Sequence, residues 1–371
     1  MSAISRFLTS RWGPILTGIV IGVLAPVLVK LGNPGNMGIC VACFSRDIAG
    51  ALGLQRAATV QYIRPEIIGL VLGALVAALS FREFKPRTGS SPLLRFILGM
   101  FAMFGTLVFL GCPWRAYLRL AGGDWNAIFG ILGLIGGVGI GILFLRMGFS
   151  MGRSRPAPKA LGWAMPAIMV GLLILLLVNP QFGRDANGNL VGPIFQSATG
   201  PGSLAAPIAI SLVVGLVIGF LAQRSRFCTV GAIRDVIMLR SSHLLNGVIA
   251  FIIVAFLTNL ALGQFKAGFS GQPIAHTNEL WNFGGMVLAG LAFTLAGGCP
   301  GRQLFLAGEG DADAGMFAIG MIVGAGFAHN FNLASSGTGV SPYGPAIIVV
   351  GLVVCAILGL TMRDATITVS A

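Results

Sequence analysis

"LGCPWR" (residues 110–115) closes one long apolar run of this chain, and "GGCPGR" (residues 297–302) closes another. Both place a cysteine between a glycine and a proline, with an arginine three residues after the cysteine. Proline disfavours the α conformation in the residue before it and suits the first position of a helix. Each motif therefore predicts that a long helix stops at the glycine and that a short new one begins at Pro113 or Pro300. Cys112 and Cys299 then sit at helix amino termini, where free N–H groups and the helix dipole favour negative charge. Gly111 and Gly298 allow a ligand or another backbone to come close. Arg115 and Arg302 add a full charge about one turn into the new helix, and an arginine at that depth is costly and marks a cavity or a path. One copy alone would read as a helix break with a small buried cysteine and an arginine snorkelling to lipid headgroups. Two copies matched in Cys, Pro and Arg point instead to an anion site with a thiol at its tip.

The match extends beyond these motifs. "ICVACFSRDI" (39–48) aligns with "FCTVGAIRDV" (227–236), pairing Cys40 with Cys228, Arg46 with Arg234 and Asp47 with Asp235 at an offset of 188 residues. The GCP motifs lie 187 residues apart, and "VIGVLA" (20–25) resembles "VIGFLA" (217–222). Two chemically specific matches at nearly one offset indicate an internal duplication. Arg46–Asp47 and Arg234–Asp235 read equally as charge pairs that hold a short hairpin or as part of a binding site. Gly231 stands where Cys43 stands in the first copy, so Cys43 has no partner in the second.

Composition sets the environment. The chain has 371 residues, 56% of them hydrophobic and 9% charged, against about 25% charged in a soluble domain. Ten apolar segments reach or approach the ~20 residues that cross ~30 Å of hydrocarbon: roughly 13–30, 65–81, 92–110, 126–146, 161–179, 204–222, 244–262, 282–298, 314–331 and 344–362. The first follows Arg6 and Arg11 like a signal peptide, but no small-residue cleavage site follows it, so it is expected to remain as a span. Stretches 37–50, 112–121, 227–239 and 299–308 are too short to cross and read as re-entrant half-helices. The expected fold is an all-α polytopic membrane protein of two repeats: 1–150 as the first, 151–200 as a linking segment and outer loop, and 201–371 as the second.

Four spans lie in the first copy, and one more separates it from the second. The odd number turns the second copy upside down, the inverted repeat of secondary transporters. With the amino terminus inside, sixteen of the 24 Lys and Arg fall in cytoplasmic segments, so the positive-inside rule places both termini in the cytoplasm. Cys40, Cys43 and Cys112 then approach from outside and Cys228 and Cys299 from inside, and the two sets are expected to meet near the membrane middle. The net charge of +13 follows from basic cytoplasmic loops, and no soluble basic domain for nucleic acid exists.

Other polar features are read conservatively. Cys355 lies in a featureless apolar run and is expected in the core. Six cysteines without zinc-type spacing suggest neither a disulfide framework nor a metal site, and no cofactor motif or P-loop is visible. His243, His276 and His329 lack ligand-like spacing, and "EGDADAG" (309–315) reads as a solvated loop.

These duplicated cysteine motifs resemble the YeeE/YedE family of bacterial inner-membrane proteins, which transport inorganic sulfur compounds such as thiosulfate. The first copy, from "GNPGNMGICVACFSRDIAG" through "FKPRTGSSPLLRFILGMF", resembles the YedE branch assigned to selenium transport. The resemblance covers essentially the whole chain. It implies that Cys40, Cys112, Cys228 and Cys299 hand a sulfur anion along by S–H···S contacts. It also implies a small inorganic sulfur or selenium substrate, a selenium compound first and a thiosulfate-like anion next. Membrane lipid is the other expected partner, and a soluble sulfur-carrier protein at the cytoplasmic face is a candidate one. Thiols suit soft, polarizable sulfur and selenium. Arginine and a helix dipole also favour thiolate, which would repel an anion. Either burial keeps the thiols protonated, or the path works by covalent persulfide or selenosulfide exchange. The alternatives are a membrane thiol oxidoreductase using Cys40 and Cys43, or a channel, which would not need matched cysteines.

Overall fold

The protein, described here by a computed structural model over residues 3–179 and 192–363, is built almost wholly from helices. Residues 180–191 of the expected outer loop lie outside the described residues. In chain order the helices are α1 (Ala3–Thr9), α2 (Trp12–Lys30), α3 (Val41–Ala51), α4 (Pro65–Ser80), α5 (Pro92–Phe109), α6 (Pro113–Ala121), α7 (Asn126–Arg146), α8 (Lys159–Val178), α9 (Ile208–Ser225), α10 (Thr229–Leu239), α11 (His243–Ala261), α12 (Glu279–Leu295), α13 (Pro300–Gly308), α14 (Ala312–Asn330) and α15 (Gly344–Thr361). All ten expected spans are helices, and the four short segments form α3, α6, α10 and α13. Nine candidate spans among the described residues are long and apolar enough to cross a membrane. The tenth, α4, has 16 residues, about 24 Å at the helical rise per residue. One strand pair, Arg87–Thr88 with Arg155–Pro156, ties two loops together.

The duplication is visible in the packing. In the first copy α7 lies along α12 and α4 along α9; exchanging the copies gives α14 along α5 and α11 along α2, and those pairs also form. Small residues set the closeness, as expected where lipid offers no hydrophobic drive between helices. A methyl group at Gly133 of α7 would lie 2.2 Å from the Phe283 carbonyl oxygen, and one at the equivalent Gly320 of α14 would lie 2.2 Å from that of Phe96.

Equivalent helices run in opposite directions. Arg95 near the start of α5 donates to the Ala296 carbonyl just past the end of α12 (2.9 Å), and His276 just before α12 bonds the Val108 carbonyl near the end of α5 (2.8 Å). Likewise Thr17 near the start of α2 meets Ser225 at the end of α9 (2.9 Å), and Asn33 beyond α2 accepts from the Ala206 N–H ahead of α9 (2.8 Å). Counterparts that cross antiparallel make the repeats inverted.

The loops sort onto two faces. On one, Glu83 bonds Arg224 and Arg226, Arg224 bonds Ser5, Arg87 bonds Asp311, and Ser150 bonds Met362. On the other, Lys266 bonds Gly122, Arg115 bonds Asn36, and Asn330 bonds Leu54.

The acidic run 309–315 differs from expectation. Glu309 and Asp313 are 2% and 1% exposed, so this is not a solvated loop. Glu309 pairs with Arg87, Arg226 and Arg302. Asp311 caps α14 through the Ala314 N–H, and Asp313 accepts from the Thr88 hydroxyl and two backbone N–H groups. Two of the three arginines that answer these carboxylates, Arg87 and Arg226, are distant in sequence, so the run by itself looks unpartnered.

Candidate functional site: two buried thiol groups at four helix amino termini

Each GCP motif breaks its helix as the proline requires. Helix α5 ends at Leu110, which adopts φ 65°, and α6 begins at Pro113 with Cys112 as its extended N-cap. Helix α12 ends before Gly297, at φ 89°, and α13 begins at Pro300 with Cys299 as its extended N-cap. A left-handed Leu110 costs roughly 1–2 kcal/mol, and its carbonyl is held by the Arg115 guanidinium. The motif glycines make room for the motif arginines: a methyl at Gly111 would lie 2.9 Å from the Arg115 side chain, and one at Gly298 3.0 Å from that of Arg302. The spacing of glycine and arginine thus has a steric reason.

Cys40 and Cys228 are the N-caps of α3 and α10. The Cys43 N–H donates to Cys40 Sγ (3.3 Å), and the Gly231 N–H donates to Cys228 Sγ (3.2 Å). The backbone at position 43 therefore does what its counterpart does, and the Cys43 thiol is an addition. In the first copy Cys40 Sγ lies 2.8 Å from Cys43 Sγ and 3.8 Å from Cys112 Sγ. In the second, the Cys299 N–H donates to Cys228 Sγ (3.4 Å) and the Arg302 N–H to Cys299 Sγ (3.4 Å). Two half-helix amino termini thus converge on each thiol group. Cys40, Cys43, Cys112 and Cys299 have no exposed surface, and Cys228 has 5%.

The expected single meeting point takes another form. Among the described residues no thiol hydrogen bond joins the two groups, and Trp114 of α6, two residues past Cys112, packs against residues beside the second group. Its ring stands 6.0 Å from that of Phe227 and 6.1 Å from that of Phe305, and it rests on Gly301. Each inverted copy brings its own half-helix pair together, so the thiols gather in two groups.

The motif arginines are unlike each other. Arg115 is fully buried, and carbonyls occupy its donors: Leu110, Asn36 (3.3 Å), Pro273 (3.2 Å) and Ile274 (3.0 Å), with Cys43 Sγ at 3.8 Å. A cavity of about 230 Å³, lined by Asn36, Gly38 and Pro273 among others, adjoins these ties. Among the described residues the Arg302 side chain has one ion pair, Nη1 to Glu309 at 3.5 Å, and that Nη1 makes no hydrogen bond.

The two Arg–Asp pairs also diverge. Asp47 is buried between Arg46 (2.7 Å) and Arg64 (2.7 Å), and Arg64 donates on to the Leu204 and Pro201 carbonyls. This ties α3 to the loop before α9. Arg234–Asp235 (2.8 Å) is partly exposed and isolated. Sequence reading missed Arg64 and the Arg119–Asp124 pair (2.6 Å, both fully buried); an arginine directly before Pro65, at a span's start, was the available signal. Cys355 is buried in the apolar core as expected, and among the described residues no group of three or more His, Cys, Asp or Glu side chains is arranged to hold a metal ion.

Known transporters share sequence with this chain. Over 99 residues the chain is 32% identical to the thiosulfate transporter TsuA of Escherichia coli (strain K12), covering 27% of this chain and 28% of that protein. Over 114 residues it is 29% identical to the thiosulfate transporter TsuA of Spirochaeta thermophila, covering 31% and 34%. The aligned part thus spans about a third or less of these relatives. A family model described as sulphur transport matches residues 1–140 and 224–364. Those two stretches hold the two thiol groups and all four half-helices, and the chain belongs to the sulphur transport family.

Proposed function

We propose that this chain takes up a small, soft sulfur anion, with thiosulfate as the first candidate. The anion passes from the outer thiols Cys40 and Cys112 to the inner thiols Cys228 and Cys299, with both chain termini in the cytoplasm and the protein in the inner membrane. One observation carries the reading: buried cysteine N-caps tip four half-helices, in two groups, one in each inverted copy. Helix amino termini supply partial positive charge for an anion, and thiols supply contacts that favour sulfur over oxygen. Arg302, with an unmet donor, supplies charge beside the inner group. The names of the relatives put thiosulfate ahead of a selenium compound, although reduced selenium species are equally soft and belong in the same assay.

A second reading, a thiol oxidoreductase, draws on the 2.8 Å approach of Cys40 and Cys43. The discriminating experiment is uptake of labelled thiosulfate by purified protein in proteoliposomes. Cys112→Ser and Cys299→Ser keep size and a donor but replace soft sulfur by hard oxygen. Each is expected to abolish uptake at unchanged membrane expression, while Cys43→Ser retains it. Near-normal uptake in both serine variants would remove the thiol path, and a dead Cys43→Ser would favour the dithiol.

A further inference from the structure

The two GCP motifs differ at one position between the cysteine and the arginine: Trp114 in the first copy and Gly301 in the second, at the same offset of 187 residues that relates Cys112 to Cys299. In the structure these two counterparts touch. A methyl group on Gly301 would lie 2.9 Å from the six-membered ring of Trp114 and 3.4 Å from its Nε1. Positions that an approximate two-fold exchanges and that touch each other lie next to its axis. There is room for one large side chain there and not for two.

That side chain reaches from the half-helix of one thiol group to residues beside the other. Trp114 is two residues past Cys112, on the half-helix that Cys112 caps. Its ring packs against Phe227, the residue before Cys228, and against Gly301 and Phe305 of α13, which Cys299 caps. The indole has no exposed surface, and its Nε1–H has no hydrogen-bond partner among the described residues. A buried donor left unmet costs roughly 1–3 kcal/mol. It persists where a function needs it, and here the surroundings are aromatic rings and backbone.

Resting on the thiol-path reading, we propose that Trp114 is the substrate-contacting separator of the path: its indole ring closes the gap between the outer and inner thiol groups, and its Nε1–H hydrogen-bonds the sulfur anion as it crosses. The duplicated path then has one asymmetric element. An anion leaving Cys112 meets a flat ring with a single donor at its edge, and must displace the ring from Gly301 to reach Cys299. A glycine at position 301 gives the ring a surface to rest on without a Cβ to block its movement.

The test uses the full-length protein in proteoliposomes, with labelled thiosulfate and labelled sulfate. Trp114→Phe keeps an aromatic ring and loses the donor; it is expected to raise KM for thiosulfate roughly tenfold, the worth of one such bond. The native protein is expected to exclude sulfate and Trp114→Ala to admit it. Gly301→Ala places a methyl against the ring and is expected to cut uptake at least tenfold, with Trp114→Ala in the same chain restoring the maximal rate at saturating thiosulfate but not the native KM. A protein keeping Trp114 as its one tryptophan, the other four replaced by Phe, is expected to show a saturable change in indole fluorescence on adding thiosulfate. That readout does not depend on the Trp114 variants folding. Native uptake together with an unchanged KM in Trp114→Phe, or a fluorescence that thiosulfate leaves unaltered, overturns the proposal alone. No uptake by the native protein overturns the transport reading and this one with it.

Discussion

Arg115 and Arg302 occupy matched positions and do different work. Arg115 spends its donors on four backbone carbonyls, two of them in the loop at 273–274, so it fastens the outer loops over Cys40, Cys43 and Cys112. Arg115→Gln is expected to loosen those loops, read as faster labelling of Cys43 by a membrane-impermeant maleimide added from outside. Arg302 is free enough to meet an anion, so Arg302→Gln should raise apparent KM severalfold while uptake still saturates, since it removes binding rather than the path. Cysteine, proline and arginine at fixed spacing were legible because each acts locally: the proline breaks the helix, and the cysteine caps the next one. Which arginine holds a loop and which stays open was not legible, since the deciding carbonyls of Asn36 and Pro273 are some 80 and 160 residues away in the chain.

At the scale of elements, two features decide the architecture: half-helices that stop inside the protein, and long helices that meet at glycine. Pro300→Ala removes the first-position proline of α13 and should let α12 continue past Gly298, lowering expression and uptake together. The close glycine contacts predict steep intolerance of added volume. Gly133→Ala and Gly320→Ala each place a methyl 2.2 Å from a carbonyl oxygen of the facing helix. Overpacking of this kind costs about 1–3 kcal/mol, so each should lower the Tm of the purified protein by several degrees. Equal losses at these two positions would also support the equivalence of the α7–α12 and α14–α5 contacts. Helix positions were legible from apolar length. The backbone contacts were not, because glycines line the helices on every side and only the partner shows which ones are used.

For the molecule as a whole, the two faces predict a topology and a pH response. Reporters in 82–91 and 147–159 should be cytoplasmic and one at 264–272 external; 147–159 found outside would reverse the proposed orientation. On the first face, burial pushes the Glu83 carboxyl up. The hydrogen bond from Gln223 and the charges of Arg226 and Arg224 more than offset this and hold it below its ordinary value. A group so lowered stabilises the fold above its ordinary value, and that stabilisation is lost as pH falls through the lowered one. Acidification from about pH 5 to about pH 3 should therefore lower Tm, and Glu83→Gln should be less stable at neutral pH and show a shallower acid limb.

The sequence by itself determined where ten long helices and four half-helices lie and that the chain is duplicated and inverted, and it offered six candidate binding residues. Those follow from composition, from proline's effect on its neighbours and from counting spans, all of which act within a few residues or along the chain. Tertiary structure alone decided that the thiols form two groups, that Trp114 rests on its own counterpart Gly301, that Arg64 joins Arg46 in holding Asp47, and that Glu309 is buried among arginines. Each of these depends on which surfaces the inverted copies press together. A local pattern records what a residue can offer, and the partner that uses the offer arrives from the other half of the chain.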